Sequence, residues 1–235
     1  MKIGILVAMD EEIKRLTEEI SSGEVYEIAN QTFYDGKLSD HHVTVVRSGI
    51  GKVNATIATT LLIQVFEVDV VINTGSAGGI GEGLSIGDLV IASSLTYHDV
   101  DNRGFGYTYG QIPQMAAQYT ADEKICQLLD EAATEIDWHV QKGLIVTGDS
   151  FISSAEKIAE IKDHFPEALV TEMEGAAVAQ TCAQFDKPFA VVRAVSDTAD
   201  EEATVNFDEF VLLAGKRSAE LVMLFIENLS KHVEE

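Results

Sequence analysis

Residues 68–79 read VDVVINTGSAGG. The first half, Val68–Asn73, is apolar almost throughout instead of alternating. A run of this kind suits a strand buried on both faces, as in a parallel sheet covered by helices. Five more runs share that character: Ile3–Met9, Val43–Val46, Leu89–Ala92, Gly143–Val146 and Phe189–Val195. Between the runs, apolar residues recur at helical spacing over Lys52–Phe66, Asp122–Ile136, Ala155–His164, Glu174–Phe185 and Phe207–His232. Strands alternating with helices predict an α/β fold in three layers, α/β/α. Gln31–Ser48 reads as a hairpin or meander, with Asp35-Gly36 and Ser39-Asp40 as turn signals. The central sheet is therefore expected to be mixed and mostly parallel.

Composition narrows the class. With 235 residues, only 3 prolines and no linker-like stretch, one domain over residues 1–235 is expected. The net charge of -23 repels phosphate backbones and anionic membranes, so neither nucleic acid nor a membrane is an expected partner. Cys126 and Cys182 are far apart and have no CxxC or Cys/His spacing, so they predict neither a disulfide framework nor a zinc site. No other metal-ligand cluster is apparent, and no cofactor is implied. The opening MKIGILVAMDEE has an apolar run too short for a signal peptide or a membrane span. It reads as a first strand, and the cytoplasm is the expected location.

In open α/β sheets, ligands bind at the carboxyl ends of strands. Four such ends stand out: Ala8-Met9-Asp10-Glu11-Glu12, Asn73-Thr74-Gly75-Ser76-Ala77-Gly78-Gly79, Val170-Thr171-Glu172-Met173-Glu174-Gly175-Ala176 and Arg193-Ala194-Val195-Ser196-Asp197. Three of them bring carboxylates to one edge of the sheet. The glycine-rich segment 75–79 is not GxGxxG, and no Lys-Ser/Thr follows to make a P-loop. In Gly49-Ile50-Gly51-Lys52-Val53-Asn54 an Asn stands where a third glycine would be. Both read as turns, either simple turn geometry or a close approach of backbone to a ligand. Glu12 and Glu174 each also suit the first turn of a helix, where the dipole favours an acid. Asp197 follows the apolar run FAVVRAVS, so it is expected to be partly buried and able to donate a proton. Residues 96–118, TYHDVDNRGFGYTYGQIPQMAAQ, are aromatic, glycine-rich and without a period. Such a loop suits a subunit contact.

In order along the chain, MKIGILVAMDEE, RSGIGKVNA, INTGSAGG, FGYTYGQIP, GLIVTGDSFI, TEMEGAAVAQ, RAVSDTAD and NFDEF resemble the 5'-methylthioadenosine/S-adenosylhomocysteine nucleosidases. That family lies within the purine and uridine phosphorylase superfamily. The resemblance implies a nucleoside phosphorylase-like fold, a homodimer, and adenine thionucleosides as small-molecule partners. It also implies hydrolysis of the N-glycosidic bond of 5'-methylthioadenosine and S-adenosylhomocysteine, and of 5'-deoxyadenosine too. By the same resemblance Glu12 activates water, with Arg193 and Ser76 nearby. Glu174 binds the ribose hydroxyls, with Met173 against the sugar. Asp197 protonates adenine N7, with Ser196 placing it. Phe151 stacks on the adenine, and the Ile152 backbone reads its edge. Met9, Ile50, Gly78 and Phe207 wall the site, and Phe105 and Pro113 reach into the partner subunit's 5' pocket. Asn102 and Arg103 carry no clear family pattern.

The residue types suit the chemistry. Glycosidic cleavage builds positive charge on the sugar and negative charge on the leaving base, which carboxylates and a proton donor respectively stabilise. The nearest rival is a phosphate-dependent phosphorylase of the same fold. It needs a cationic phosphate site, whereas Arg47 and Arg193 are the only arginines at strand ends near the motifs. A non-catalytic nucleoside-binding protein is a second alternative. A hydrolase for an adenine nucleoside with a bulky 5' carbon substituent is a third.

Overall fold

The computed structural model describes the backbone of residues 1–197 and 203–231, and the side chains of 1–197 and 210–229. In chain order the elements are β1 (Lys2–Val7), α1 (Asp10–Glu19), β2 (Ser21–Ile28), β3 (Gln31–Leu38), β4 (His41–Arg47), α2 (Lys52–Gln64), β5 (Val70–Gly79) and β6 (Leu89–Tyr97). There follow β7 (Tyr119–Thr120), α3 (Glu123–Glu135), β8 (Val140–Thr147), α4 (Ala155–His164), β9 (Ala168–Glu172), α5 (Gly175–Gln184), β10 (Phe189–Asp197) and α6 (Ala203–Lys231).

The apolar runs form the sheet centre, as expected. β1 lies between β4 and β5, parallel to both, and β5 continues parallel to β10. Ile3, Ile5, Val71, Ile72, Val191 and Val192 are fully buried there. Gln31–Leu38 and His41–Arg47 pair antiparallel, so the sheet is mixed. Helices α1, α3 and α6 pack as one group and α2 with α5 as another, giving the α/β/α arrangement. Beyond that expectation, the pairings β10–β6–β8–β9–β5–β10 close on themselves. The closed ring draws the ends of β5, β9 and β10 together. β2 is not evident in the sequence, because nearly all of its residues are exposed and no core face writes a pattern into it.

One reading needs correction. Residues 75–79 are not a turn: they continue β5, with Gly75 opposite Arg193 and Ser76 opposite Ala194 on β10. None of the glycines in this segment has a positive φ. Their role is space. A Cβ on Gly75 would lie 2.7 Å from Glu12 Oε1, so glycine lets the strand run directly beneath that carboxylate. Gly49 and Gly51 are turn glycines as expected, with φ of 83° and 99°.

Candidate active site

The ends of β1, β5, β9 and β10 open onto a cavity of about 400 Å³. Its walls include Met9, Ile50, Ser76, Gly78, Phe151, Ile152 and Met173. Four carboxylates also line it: Glu12, Glu172, Glu174 and Asp197. Among the described residues, the lining carries no Lys, Arg or His.

Glu12 has the helix-start place read for it and also lines the cavity. It is the third residue of α1, and Oε2 accepts the N–H groups of Met9 at 3.2 Å and Ala8 at 3.0 Å. That is the helix-capping role expected of an acid at this position. Oε1 points the other way and accepts from both the N–H and the Oγ of Ser76, each at 3.0 Å. Four donors thus fix the plane of a carboxylate that is only 3% exposed.

Asp197 ends β10, where the ladder is bulged between Val195 and Asp197. It is fully buried by protein except towards the cavity, and Ser196 Oγ donates to Oδ2 at 2.8 Å. The apolar strand before it accounts for the burial, as the sequence suggests.

Glu174 is the N-cap of α5. Its Oε1 accepts the Gly51 N–H at 2.8 Å, and its Oε2 lies 3.5 Å from Arg193 Nη2. Burial, then the charge of Glu172, push the Glu174 carboxyl up to about 8, although Arg193 and the Gly51 N–H act in the opposite direction. Glu172 differs. Burial works against its charge, but Arg193, the Thr147 hydroxyl and the Gly175 N–H outweigh burial and hold it below the ordinary carboxylate value. It accepts from Thr147 Oγ1 and Arg193 Nη2, and from the N–H groups of Glu174 at 3.0 Å and Gly175 at 2.8 Å. The two carboxyls therefore divide: Glu172 stays ionised beside Arg193 while Glu174 tends to keep its proton.

Arg193 does not line the cavity. It is 1% exposed beneath the floor, and Nη2 also donates to Asn73 Oδ1 at 2.7 Å. Burial opposes its charge, but Glu172, Glu174 and Glu12 outweigh that and raise it. Arg47 is held away by Asp10, with Nε 3.1 Å from Oδ1. Phe105 and Pro113 are exposed and do not line the cavity. Phe207 lies outside the described side chains. Sequence reading places Glu172 and Asn73 within strand ends but gives them no role, and it passes over Thr147. The one signal in the sequence is an acid closing the apolar stretch before Glu172.

The sequence profile described as the phosphorylase superfamily matches residues 2–227. A 5'-methylthioadenosine/S-adenosylhomocysteine nucleosidase from Exiguobacterium sp. is 48% identical over 98% of this chain and 100% of its own length. The chain belongs to the 5'-methylthioadenosine/S-adenosylhomocysteine nucleosidases of the phosphorylase superfamily. The S-adenosylhomocysteine nucleosidase from Streptococcus pyogenes, solved with 5-methylthiotubericidin, superposes with a TM-score of 0.95. The two are 43% identical over 97% of each chain. A futalosine hydrolase from Helicobacter pylori is also similar, with a TM-score of 0.93 and 36% identity over 97% of this chain and 98% of that one.

The Glu174 carboxyl makes a stability prediction with a definite sign. The folded protein keeps the proton to about pH 8, whereas an unfolded glutamate releases it near 4.5. Between those values the folded state binds more protons, so its stability falls as pH rises. The contribution is complete below pH 4.5 and lost as pH passes through 8. Glu174→Gln removes the titration while keeping an acceptor for Gly51. Urea unfolding from pH 5 to 8.5 should show the variant gaining on the wild type by about 2–4 kcal/mol, since each tenfold change in proton affinity is worth roughly 1.4 kcal/mol. Parallel stability profiles would contradict the assignment.

Proposed function

We propose that this chain hydrolyses the N-glycosidic bond of 5'-methylthioadenosine and S-adenosylhomocysteine, and of 5'-deoxyadenosine, releasing adenine and the corresponding ribose. The observation that carries the reading is the cavity lining: four carboxylates and, among the described residues, no cationic side chain. An attacking phosphate meets the carboxylates of Glu12 and Glu172 and no counter-charge in the lining, whereas water meets a base. The superfamily's phosphorolytic alternative is disfavoured on that ground.

In this reading the roles divide by position. Asp197 donates its proton to adenine N7 as the C1'–N9 bond breaks, and the bonding electrons leave with the base. Ser196, 2.8 Å from Asp197, orients that carboxyl. Glu12 takes a proton from the water that attacks C1'. Ser76 holds Glu12 Oε1 from two donors, which aims the carboxylate across the cavity. Glu174, with its tendency to keep a proton, can both donate to and accept from the ribose hydroxyls. Met173 packs against the sugar, and the carboxylates of Glu12 and Glu172 favour the positive charge that develops there. Phe151, half exposed at the cavity mouth, provides stacking surface for the base. The Ile152 backbone reads the base edge, and Met9, Ile50 and Gly78 complete the walls. Arg193 acts from below by holding Glu172 and Glu174. The reaction needs no metal or cofactor.

The same reading makes the chain one domain that works as a homodimer in the cytoplasm. Phe105 is 83% exposed, and Val53 on α2 is 70% exposed. Val53 and Ile57 line an apolar groove with Val100 and Ile112, a surface that a second subunit would cover. In the dimer, Phe105 and Pro113 close the 5' end of the partner subunit's site. Among the described residues no helix is long and apolar enough to cross a membrane.

The likeness to the futalosine hydrolase supports a second reading of the 5' end alone, with a carbon substituent in place of the thioether. Comparing adenine release from the two substrate types separates them.

Asp197→Asn should bind substrate within about tenfold of the wild type but lose at least about 10²–10⁴-fold in kcat, the usual worth of general acid catalysis. Full turnover in that variant would remove Asp197 as the acid. In solution the protein should have twice the 25.5 kDa chain mass, and a monomer at working concentration would remove the shared 5' pocket.

A further inference from the structure

Helix α2 begins beside the cavity without a side-chain cap of its own, because its N-cap is Gly51. Two carboxylates from distant segments serve instead. Glu174 accepts the Gly51 N–H at 2.8 Å, and Asp149 Oδ1 accepts the Lys52 N–H at 2.8 Å. Helix N-termini favour negative charge, which suits Asp149, while a Glu174 carboxyl oxygen accepts from Gly51 with or without its proton. Asp149 is two residues before Phe151 and three before Ile152.

The connection is tied a second time. The Asp149 N–H donates to Asp99 Oδ2 at 2.9 Å. Lys52 Nζ donates to both Asp99 oxygens, at 2.9 and 2.7 Å, and lies 3.6 Å from Asp149 Oδ2. The fit is close: a Cβ on Gly51 would lie 3.1 Å from Asp149 Oδ1. Segment 149–152, which lines the cavity through Ser150, Phe151 and Ile152, and segment 50–52, which holds Glu174 through Gly51, are thus cross-linked through the first turn of α2.

We propose that Asp149 is a positioning residue that joins the adenine-facing segment to the sugar-binding carboxylate through the N-terminus of α2. The proposal rests on the nucleosidase reading for the names of the two subsites. Without Asp149, substrate must order both segments as it binds, and that cost falls equally on ground and transition states. KM should therefore rise while kcat stays nearly constant. Asn at this position keeps an oxygen for the Lys52 N–H and should restore most of the effect.

The test uses the full chain with 5'-methylthioadenosine as substrate, together with residue-specific amide exchange. Asp149→Ala should raise KM about tenfold with kcat within about threefold, the scale of one hydrogen bond to a charged group. Asp149→Asn should stay within about threefold of the wild type in both. The Gly51 amide, across the joint from Asp149, should exchange about fivefold faster in Asp149→Ala. An unchanged KM, a fall confined to kcat, or an Asn variant as impaired as the Ala variant overturns the proposal. If the wild type releases no adenine, the substrate reading has failed on its own. The Gly51 exchange rate then decides: faster exchange in Asp149→Ala supports the joint, and an unchanged rate overturns it.

Discussion

A guanidinium buried under the cavity floor must have its charge balanced locally, and much of the site follows from that constraint. Arg193 stands on a central strand with almost no access to solvent. Desolvating it unpaired is too costly, so carboxylates must come to it. Glu172 meets it from the end of β9, and Glu174 approaches from the cap of α5. One positive charge cannot hold two buried negative ones equally. Glu172 takes the closer contact and the charge, and Glu174 keeps a proton and faces the cavity. A buried ion pair of this kind is weak evidence for stability, but it fixes geometry. Here it sets which carboxyl stays ionised and which keeps its proton, and Gly51 ties Glu174 to the start of α2.

Glu12 shows how one side chain can complete a helix turn and still present an oxygen to the cavity. One oxygen completes the first turn of α1 and the other belongs to Ser76 and the cavity. The strand beneath can approach only because residue 75 has no side chain. The result is a carboxylate whose direction is set by backbone on three sides. The same cavity is lined by Asp197, positioned by the end of an apolar strand and the neighbouring Ser196 hydroxyl. With no cation in the described lining, the space between the carboxyls suits a neutral nucleoside and water better than an anion.

The buried strands are legible in the sequence because two-sided burial leaves uninterrupted Val/Ile runs such as Val70–Ile72 and Ala190–Val192. Strand β2 is not, since an exposed edge imposes no apolar pattern. Segment 75–79 misleads for a physical reason: glycine serves turns and close packing alike, and only the neighbour, Glu12, tells which. At the site, Glu12, Glu174 and Asp197 are visible as acids at strand ends. Their roles come from ordered family motifs, and no spacing rule supplies them. The partnership of Arg193 with Glu172 and Asn73 is hidden, because its members are 21 and 120 residues apart. The Lys52–Asp99–Asp149 lacing is hidden for the same reason.

The claim at the centre of this account is that water, and not phosphate, attacks the sugar. Product analysis after incubation with 5'-methylthioadenosine in phosphate-free buffer tests it most directly. The account predicts free adenine and free 5-methylthioribose, at a rate that added phosphate does not raise. Adenine release that requires phosphate and yields a sugar 1-phosphate would contradict it.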